Sequence, residues 1–246
     1  LLNILYKTPE YILLLYIVFV LSLISSNSFY KKNFIYFNYK ILLIFLILVF
    51  PNLLLFILPY PIYDGMRLFL WVIPYFCIIP AITIYFLIKN LNLIKLKITL
   101  AFISIAFFCF LYNFFTITPY QYTYLNVLNG KPEERYKKFE SDYWGASIKE
   151  LINKTDFKKD KSLKIATCGV KVDTILFYLK RKSYFNISVV EPKLADYIIM
   201  ANRTTLGELK DNGTHELTSC FSKYTGPDLI SVQRNKMTLS TIRKIQ

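Results

Sequence analysis

Four long stretches of this chain contain no Asp, Glu, Lys or Arg, and they constrain its fold more than any other feature. They cover residues 11–30, 41–63, 68–88 and 98–130, and are 20, 23, 21 and 33 residues long. A helix needs about 20 apolar residues to cross the hydrocarbon core of a bilayer. A helix of a water-soluble protein would show polar residues every third or fourth position. The stretches therefore predict four membrane-spanning helices, at about 9–26, 40–60, 68–88 and 97–115.

The charged residues divide the chain into two parts. Residues 1–115 hold 8 Lys and Arg and 2 acids, whereas residues 116–246 hold 22 and 14. We therefore predict a transmembrane domain over 1–115 and a water-exposed domain over 116–246, in which 116–145 is an interfacial linker. Only 7 Gly and 19% charged residues exclude collagen-like, low-complexity and disordered chains.

The lysines of the predicted loops indicate the orientation. Three lysines lie in each of the loops 31–40 and 89–97, whereas the opposite side carries Lys7 with Glu10 and Arg67 with Asp64. Cytoplasmic loops carry an excess of Lys and Arg, so we expect these two loops in the cytoplasm. Residues 60–67 and 116–246 then lie outside it, in a periplasm or a lumen.

The first apolar stretch lacks the pattern of a signal peptide. Lys7 is the single basic residue ahead of it, and no small-residue cleavage site follows. The chain opens with Leu1 rather than Met, and we expect it to be the C-terminal part of a longer protein.

The pattern after Trp144 is that of a small α/β domain. Apolar residues of one helix face fall at Ile148, Leu151 and Ile152, and a second helix is expected over 174–181. Strands are predicted at 163–169, 187–190 and 196–201, and a closing hairpin turns at Asn235 and Lys236. The predicted fold is an α-helical transmembrane region of four spans followed by a small α/β exoplasmic domain with a mixed sheet.

Several kinds of site are not expected. The chain has one histidine, His215, and no Cys-x-x-Cys pair, which argues against a zinc site. It has neither Gly-x-Gly-x-x-Gly nor a Walker lysine loop, so we expect no nucleotide site, and no nucleic-acid partner is expected. Cys168 and Cys220 both lie in the outer domain, where a disulfide is chemically permitted, but the sequence leaves their pairing open.

Two stretches are candidate sites, and each has a structural alternative. At the outer end of the third span lie Tyr63, Asp64 and Arg67; either Asp64 caps the helix and pairs with Arg67, or the pair binds a phosphate-bearing lipid. The second candidate comprises six residues that either contact an acceptor or form an interfacial belt and the start of a helix. They are Tyr120, Gln121, Tyr122, Asp142, Tyr143 and Trp144.

These stretches resemble the C-terminal part of bacterial integral-membrane glycosyltransferases of the GT-C superfamily, the protein O-mannosyltransferase-like and aminoarabinose-transferase-like enzymes. Some bacterial members carry the motif Tyr-Asp-Gly-x-Arg-His-Phe at an outer loop. Residues 63–69 match this motif, except that Leu68 replaces the histidine. Residues 119–126 match Pro-Tyr-Gln-Tyr-x-Tyr-x-Asn, and residues 139–145 match Phe-Glu-x-Asp-Tyr-Trp-Gly. The order and spacing fit over roughly residues 40–150.

The resemblance implies a bacterial inner-membrane enzyme that moves a sugar from a polyprenyl-phosphate donor to an exoplasmic acceptor, with its C-terminal domain in the periplasm. The expected partners are membrane lipid, the lipid-linked sugar and an acceptor whose identity is open. The catalytic carboxylate of this superfamily lies upstream of the matched region. Arg67 would stabilise the donor phosphate, and Asp64 would orient Arg67 or help to hold a divalent metal, although no cofactor is certain.

A function of another class stays open. A non-catalytic, membrane-anchored exoplasmic binding or assembly protein would have the same helices and outer domain. It would not need Asp64 and Arg67. A transporter fits less well, because the spans carry no acids or bases for an ion relay.

Overall fold

A computed structural model describes residues 2–57, 71–137, 140–142, 144–158, 162–209 and 215–245. The chain forms two compact units. The helical unit comprises Leu1–Tyr112 and Leu125–Leu128, and the α/β unit comprises Asn113–Tyr124 and Asn129–Gln246.

The described part of the helical unit contains five α-helices, and the last of them ends in residues that are assigned to the α/β unit. They are α1 (Leu2–Lys7), α2 (Glu10–Asn33), α3 (Phe37–Ile57), α4 (Ile73–Asn90) and α5 (Leu93–Thr116). Three of them, α2, α4 and α5, are long and apolar enough to cross a membrane. The second predicted span falls on α3, whose apolar stretch Phe37–Pro51 is shorter. The described residues thus contain three candidate spans, and four spans are not confirmed.

The first candidate span is interrupted where the sequence prediction ends it. Helix α2 continues to Asn33, but its backbone leaves helical geometry at Ser26, with φ −144° and ψ 37°. Ahead of this kink, the Ser22 hydroxyl donates to the Phe19 carbonyl at 2.7 Å and also hydrogen-bonds the Tyr30 hydroxyl beyond it. The kink separates an apolar segment from the last turns, which carry Lys31 and Lys32.

Aromatic rings form the core of the helical unit. Tyr30 is fully buried, and its ring stacks on Phe37 at 4.9 Å and on Phe86 at 5.4 Å between centroids. The Tyr16 hydroxyl donates to the Phe76 carbonyl at 2.7 Å, which joins α2 to α4. By contrast, α5 has no buried residue in the described structure. Its apolar surface needs lipid or another partner to cover it.

The α/β unit contains a five-stranded mixed sheet and a separate hairpin. The strands are β1 (Leu163–Cys168), β2 (Ile187–Val189), β3 (Tyr197–Ala201), β4 (Thr204–Leu209), β5 (His215–Ser219), β6 (Asp228–Arg234) and β7 (Met237–Lys244). The sheet order is β2-β1-β3-β7-β6, with β1 parallel to β2 and β3, and with β7 antiparallel to β3 and β6. This confirms the prediction of a small domain with a mixed sheet.

The closing hairpin has the predicted two-residue turn. Asn235 and Lys236 have φ of 46° and 63°, and Arg234 pairs with Met237 across them. Positive φ at both central positions matches the twist of the flanking strands, which explains why an Asn-containing pair lies here.

Both faces of the sheet are covered, which explains why β3 is apolar throughout. Ile199 and Ala201 pack on one face together with residues of α6 (Ile148–Lys154) and α7 (Val172–Arg181). Ile198 and Met200 pack on the other face, where α8 (Cys220–Lys223) lies.

The β4–β5 hairpin was not predicted from the sequence, because Thr204–Leu209 lacks a run of β-branched and aromatic residues. The structure also settles the open cysteine question. Cys168, at the end of β1, forms a disulfide with Cys220, at the start of α8.

Candidate functional site

The structure describes only part of the candidate site residues. Tyr63, Asp64 and Arg67, the donor-phosphate candidates, lie outside the described residues, as does Tyr143. The other five all belong to the α/β unit. They are Tyr120, Gln121, Tyr122, Asp142 and Trp144.

Asp142 is fully buried, and hydrogen-bond donors surround its carboxylate. Its Oδ1 accepts from the Tyr122 hydroxyl and, at 2.9 Å, from the Ala146 amide. Its Oδ2 accepts from the Ser147 amide at 3.1 Å and from the Ser147 hydroxyl. Four donors on two oxygens suit an ionised carboxylate, which only accepts. Burial raises the pKa of Asp142, and these hydrogen bonds offset that rise only in part.

The turn after Asp142 explains why these amides face its carboxylate. The Gly145 amide donates to the Asp142 carbonyl at 2.9 Å, and α6 begins three residues later. Gly145 has φ +64°, and an added Cβ would lie 3.1 Å from Cγ2 of Val170, so glycine suits this position. The carboxylate thereby satisfies amides that would otherwise be unpaired ahead of the helix.

The same segment is anchored to the sheet. The hydroxyls of Ser147 and Ser240 hydrogen-bond at 2.6 Å, and Ser240 belongs to β7. Asn202, which follows β3, donates from Nδ2 to the Ser141 hydroxyl at 2.5 Å, and its carbonyl accepts from the Asp142 amide at 3.4 Å. Ser141 and Asp142 are therefore part of the domain's core.

A second polar cluster surrounds Glu150 on α6. Its Oε2 accepts from the Tyr120 hydroxyl at 2.8 Å and from Arg234 Nη2 at 2.5 Å, and its Oε1 lies 2.8 Å from Lys154 Nζ. The Arg234 guanidinium also lies 5.2 Å from the centroid of the Tyr120 ring, and its Nε donates to the Thr118 carbonyl at 2.9 Å. The cluster fixes Tyr120 against the domain.

The electrostatics of this cluster depend on several groups. Partial burial raises the pKa of Glu150, but hydrogen bonds from Lys154, Arg234 and Tyr120 and the charge of Arg234 outweigh it and lower the pKa to about 2. Burial, followed by the Glu150 carboxylate, raises the pKa of Tyr120. Glu150 is therefore ionised at neutral pH and Tyr120 is protonated.

Two of the candidate residues reach the surface without bonding to Asp142 or Glu150, whereas the half-buried Tyr122 donates to Asp142. Trp144 is 56% exposed. Gln121 is half-buried and donates from Nε2 to the Thr118 hydroxyl at 2.8 Å. A ligand of this part of the domain would contact these two side chains rather than the buried Asp142.

The last residue of the second matched stretch belongs to the helical unit. Asn126 donates from Nδ2 to the carbonyls of Leu5 at 2.6 Å and Thr8 at 2.9 Å. The Glu10 carboxylate accepts from the Val127 amide at 3.0 Å. Asn126 thus fixes the backbone where α1 ends and α2 begins.

Sequence reasoning missed Glu150, Arg234, Ser147 and Ser240. One signal was available: Glu150 and Lys154 are spaced for an i,i+4 ion pair on a helix. The approach of Arg234 and Ser240 depends on the folded sheet and left no local pattern. Among the described residues, no group of three or more His, Cys, Asp or Glu is placed to hold a metal ion.

Comparison of the chain with models of protein families, with curated proteins and with solved structures found no match.

Proposed function

We propose that this chain is the C-terminal part of a membrane glycosyltransferase that moves a sugar from a polyprenyl-phosphate donor to an exoplasmic acceptor. The observation that carries the proposal is the hydrogen bond from Tyr122 to Asp142. These residues belong to two of the three stretches that resemble the GT-C enzymes, and they are 20 positions apart. This contact supports the proposal because it makes the two stretches parts of one local structure in the α/β unit.

In this proposal, Arg67 binds the donor phosphate. A guanidinium grips a phosphate through two parallel hydrogen bonds, each of which contributes roughly 1.5–3 kcal/mol. Asp64, three positions earlier, orients the guanidinium or helps to hold a divalent metal. Because a phosphate leaves with the lipid, a fixed positive charge stabilises the transition state. The general base is expected from a part of the enzyme that precedes the matched stretches.

The outer residues divide into two roles. Asp142, Tyr122 and Tyr120 position the segment, because their polar atoms are engaged in the core of the α/β unit. Trp144 and Gln121 are the acceptor-facing candidates, since their side chains reach the surface.

The proposed topology has four crossings, with α3 as the fourth, and the α/β unit in the periplasm of a bacterial inner membrane. The Cys168–Cys220 disulfide supports this location, because disulfides persist in oxidising compartments. The last turns of α2 and α4 carry lysines, which supports a cytoplasmic location for these two helix ends.

Reagent access tests this topology. In a chain with Cys77→Ser and Cys109→Ser, the exposed Lys193 is replaced by cysteine. A membrane-impermeant maleimide should label Lys193→Cys in intact spheroplasts. Labelling that occurs only after the membrane is opened would contradict the topology.

Transfer activity of the full-length enzyme tests the function. Vesicles with the wild type should move labelled sugar from a polyprenyl-phosphate donor. Arg67→Ala should lose most of this transfer. Arg67→Lys should retain part of it, because lysine keeps the positive charge but cannot donate the two parallel hydrogen bonds of a guanidinium. Lys97→Ala on the proposed cytoplasmic side is the matched control and should transfer like wild type. Normal transfer by well-expressed Arg67→Ala, or transfer from a sugar nucleotide without lipid carrier, would refute the proposal.

One observation favours a second function, that of a non-catalytic exoplasmic binding or assembly module. The polar groups around Asp142 and Glu150 serve the fold of an α/β unit that has its own cores and disulfide. This alternative predicts that Arg67→Ala has no effect and that a surface variant, Trp144→Ala, abolishes capture of the partner. A transferase predicts that Arg67→Ala reduces transfer more than Trp144→Ala does.

A further inference from the structure

A groove opens between α2 and α3, beside the kink at Ser26. Its volume is about 390 Å³, within the range of about 300–1,000 Å³ that is common for small-molecule sites. Helix α2 contributes Leu23 and Asn27 to its walls. Helix α3 contributes Phe37, Asn38, Ile41, Leu42 and Phe45.

The walls of the groove are mostly apolar, and its two polar side chains, Asn27 and Asn38, both lie toward one end. On α3, the lining residues Asn38, Ile41 and Phe45 follow one stripe, with the asparagine nearest the α2–α3 connection. On α2, Asn27 is likewise closer to that connection than Leu23. The two amides therefore lie toward the connection, together with Phe37, and only hydrocarbon side chains line the part away from it. An amphiphile has the same gradient along its length.

Three lysines lie close in sequence to the two asparagines of the groove. Lys31 lies four residues after Asn27 and shares its helix face, Lys32 is next to it, and Lys40 lies in the first turn of α3. All three side chains are exposed. Residues 11–63 contain no Asp or Glu, so no acid in this stretch neutralises them.

We propose that this groove binds an anionic phospholipid, with one acyl chain along Leu23, Ile41 and Phe45 and the headgroup phosphate at Lys31, Lys32 and Lys40. The kink makes room for the chain, because α2 changes direction between the apolar and the polar wall. Anionic headgroups are recognised by basic clusters next to spans on the cytoplasmic side. A zwitterionic lipid of the same chains would fill the apolar part but would gain less from the lysines.

The inference depends on membrane insertion of α2 and α3 and not on glycosyl transfer. Lipid retention is measured without any substrate, so its failure leaves the proposed transfer reaction intact. Loss of transfer in Arg67→Ala would likewise leave the lipid site intact.

Native mass spectrometry of the full chain in detergent tests the proposal, with added phosphatidylglycerol and with phosphatidylcholine of the same acyl chains. Wild type should retain phosphatidylglycerol preferentially. Each lysine contributes roughly fivefold, so the triple variant Lys31→Gln/Lys32→Gln/Lys40→Gln should lose about a hundredfold of this preference. The charge-matched control is Lys89→Gln/Lys95→Gln/Lys97→Gln, which changes three lysines on α4 and α5, outside the helices that line the groove, and should behave like wild type.

A second variant tests the apolar part of the groove. Leu42 is 54% exposed, so Leu42→Trp fills the groove without disturbing the core, and it should weaken retention of both lipids. The proposed site would be overturned if both lysine triple variants lost the preference for phosphatidylglycerol equally. It would also be overturned if the wild type retained both lipids equally. Preferential retention of polyprenyl phosphate over phosphatidylglycerol, abolished by the Lys31 triple, would also overturn it and favour a donor-lipid site.

Discussion

The two units differ in how their apolar residues are covered. Helix α5 is apolar along its length and has no buried residue, and its Ile105 is 60% exposed. In the α/β unit, β3 has four buried residues in succession, from Ile198 to Ala201. A soluble fold must hide such residues inside itself, whereas a bilayer supplies the apolar surroundings. The exposed apolar surface of the helical unit is compatible with insertion into a membrane.

Polar groups show the same contrast. The helical unit satisfies them through separate hydrogen bonds, either within one helix, as from Thr83 to the Ile79 carbonyl at 2.9 Å, or between segments, as from Asn126 to the carbonyls of Leu5 and Thr8. The α/β unit gathers them into networks around Asp142 and Glu150 and adds a disulfide. These networks hold together segments that are distant in sequence. The α/β unit should therefore depend on single residues more than the helical unit does.

The largest expected effect is the loss of the disulfide. The bridge spans 52 residues, so in the chain-entropy model its removal by Cys168→Ser/Cys220→Ser costs about 4 kcal/mol. The α/β unit should become protease-sensitive while the helices stay resistant, as measured by limited proteolysis in detergent. Cys77→Ser/Cys109→Ser is the matched control and should change nothing. Equal resistance of both double variants would break the contrast between the units.

A charge placed on an exposed apolar position of each unit should have unequal effects. Ile105→Lys places a charge in a candidate span and should cost about 3 kcal/mol of insertion free energy. Phe185→Lys, at a position 75% exposed in the α/β unit, should change its stability by less than about 0.5 kcal/mol. Carbonate extraction of membranes and thermal unfolding measure the two effects. Normal insertion of Ile105→Lys would show that α5 is not covered by lipid.

Asp142→Asn should destabilise the α/β unit by about 2 kcal/mol, because an amide cannot accept from all four donors and loses the charge-assisted bonds. Asp173→Asn, at an exposed position of α7, is the control and should be neutral. Chemical denaturation monitored by Trp144 fluorescence compares the two. A neutral Asp142→Asn would mean that its carboxylate is not needed for folding.

The smallest expected effect concerns acid stability. The pKa of Glu150 is lowered from 4.5 to about 2, so its stabilising contribution is complete above pH 4.5 and is lost as the pH falls toward 2. Because the carboxylate is partly exposed, we discount its contribution to about 1 kcal/mol. Glu150→Gln should lose that amount at pH 7 and show a flatter decline in unfolding free energy between pH 4.5 and 2. An unchanged acid slope would contradict the ion-pair network.

Local patterns in the sequence predicted most of the α/β unit. The periodicity of Ile148, Leu151 and Ile152 marked α6, and Asn235 with Lys236 marked the hairpin turn. These features depend on residues within a few positions of each other, which is why they are readable. The β4–β5 hairpin has a weak pattern and was missed.

The sequence by itself determined where apolar helices lie and which segments fold as a mixed sheet. Only the tertiary structure decided that Cys168 pairs with Cys220, that Asp142 is buried under four donors, and that Arg234 reaches Glu150. Helices and turns follow from short-range periodicity and backbone preferences. Contacts between residues 52 or 84 positions apart depend on how the sheet brings its strands together, which no local pattern encodes.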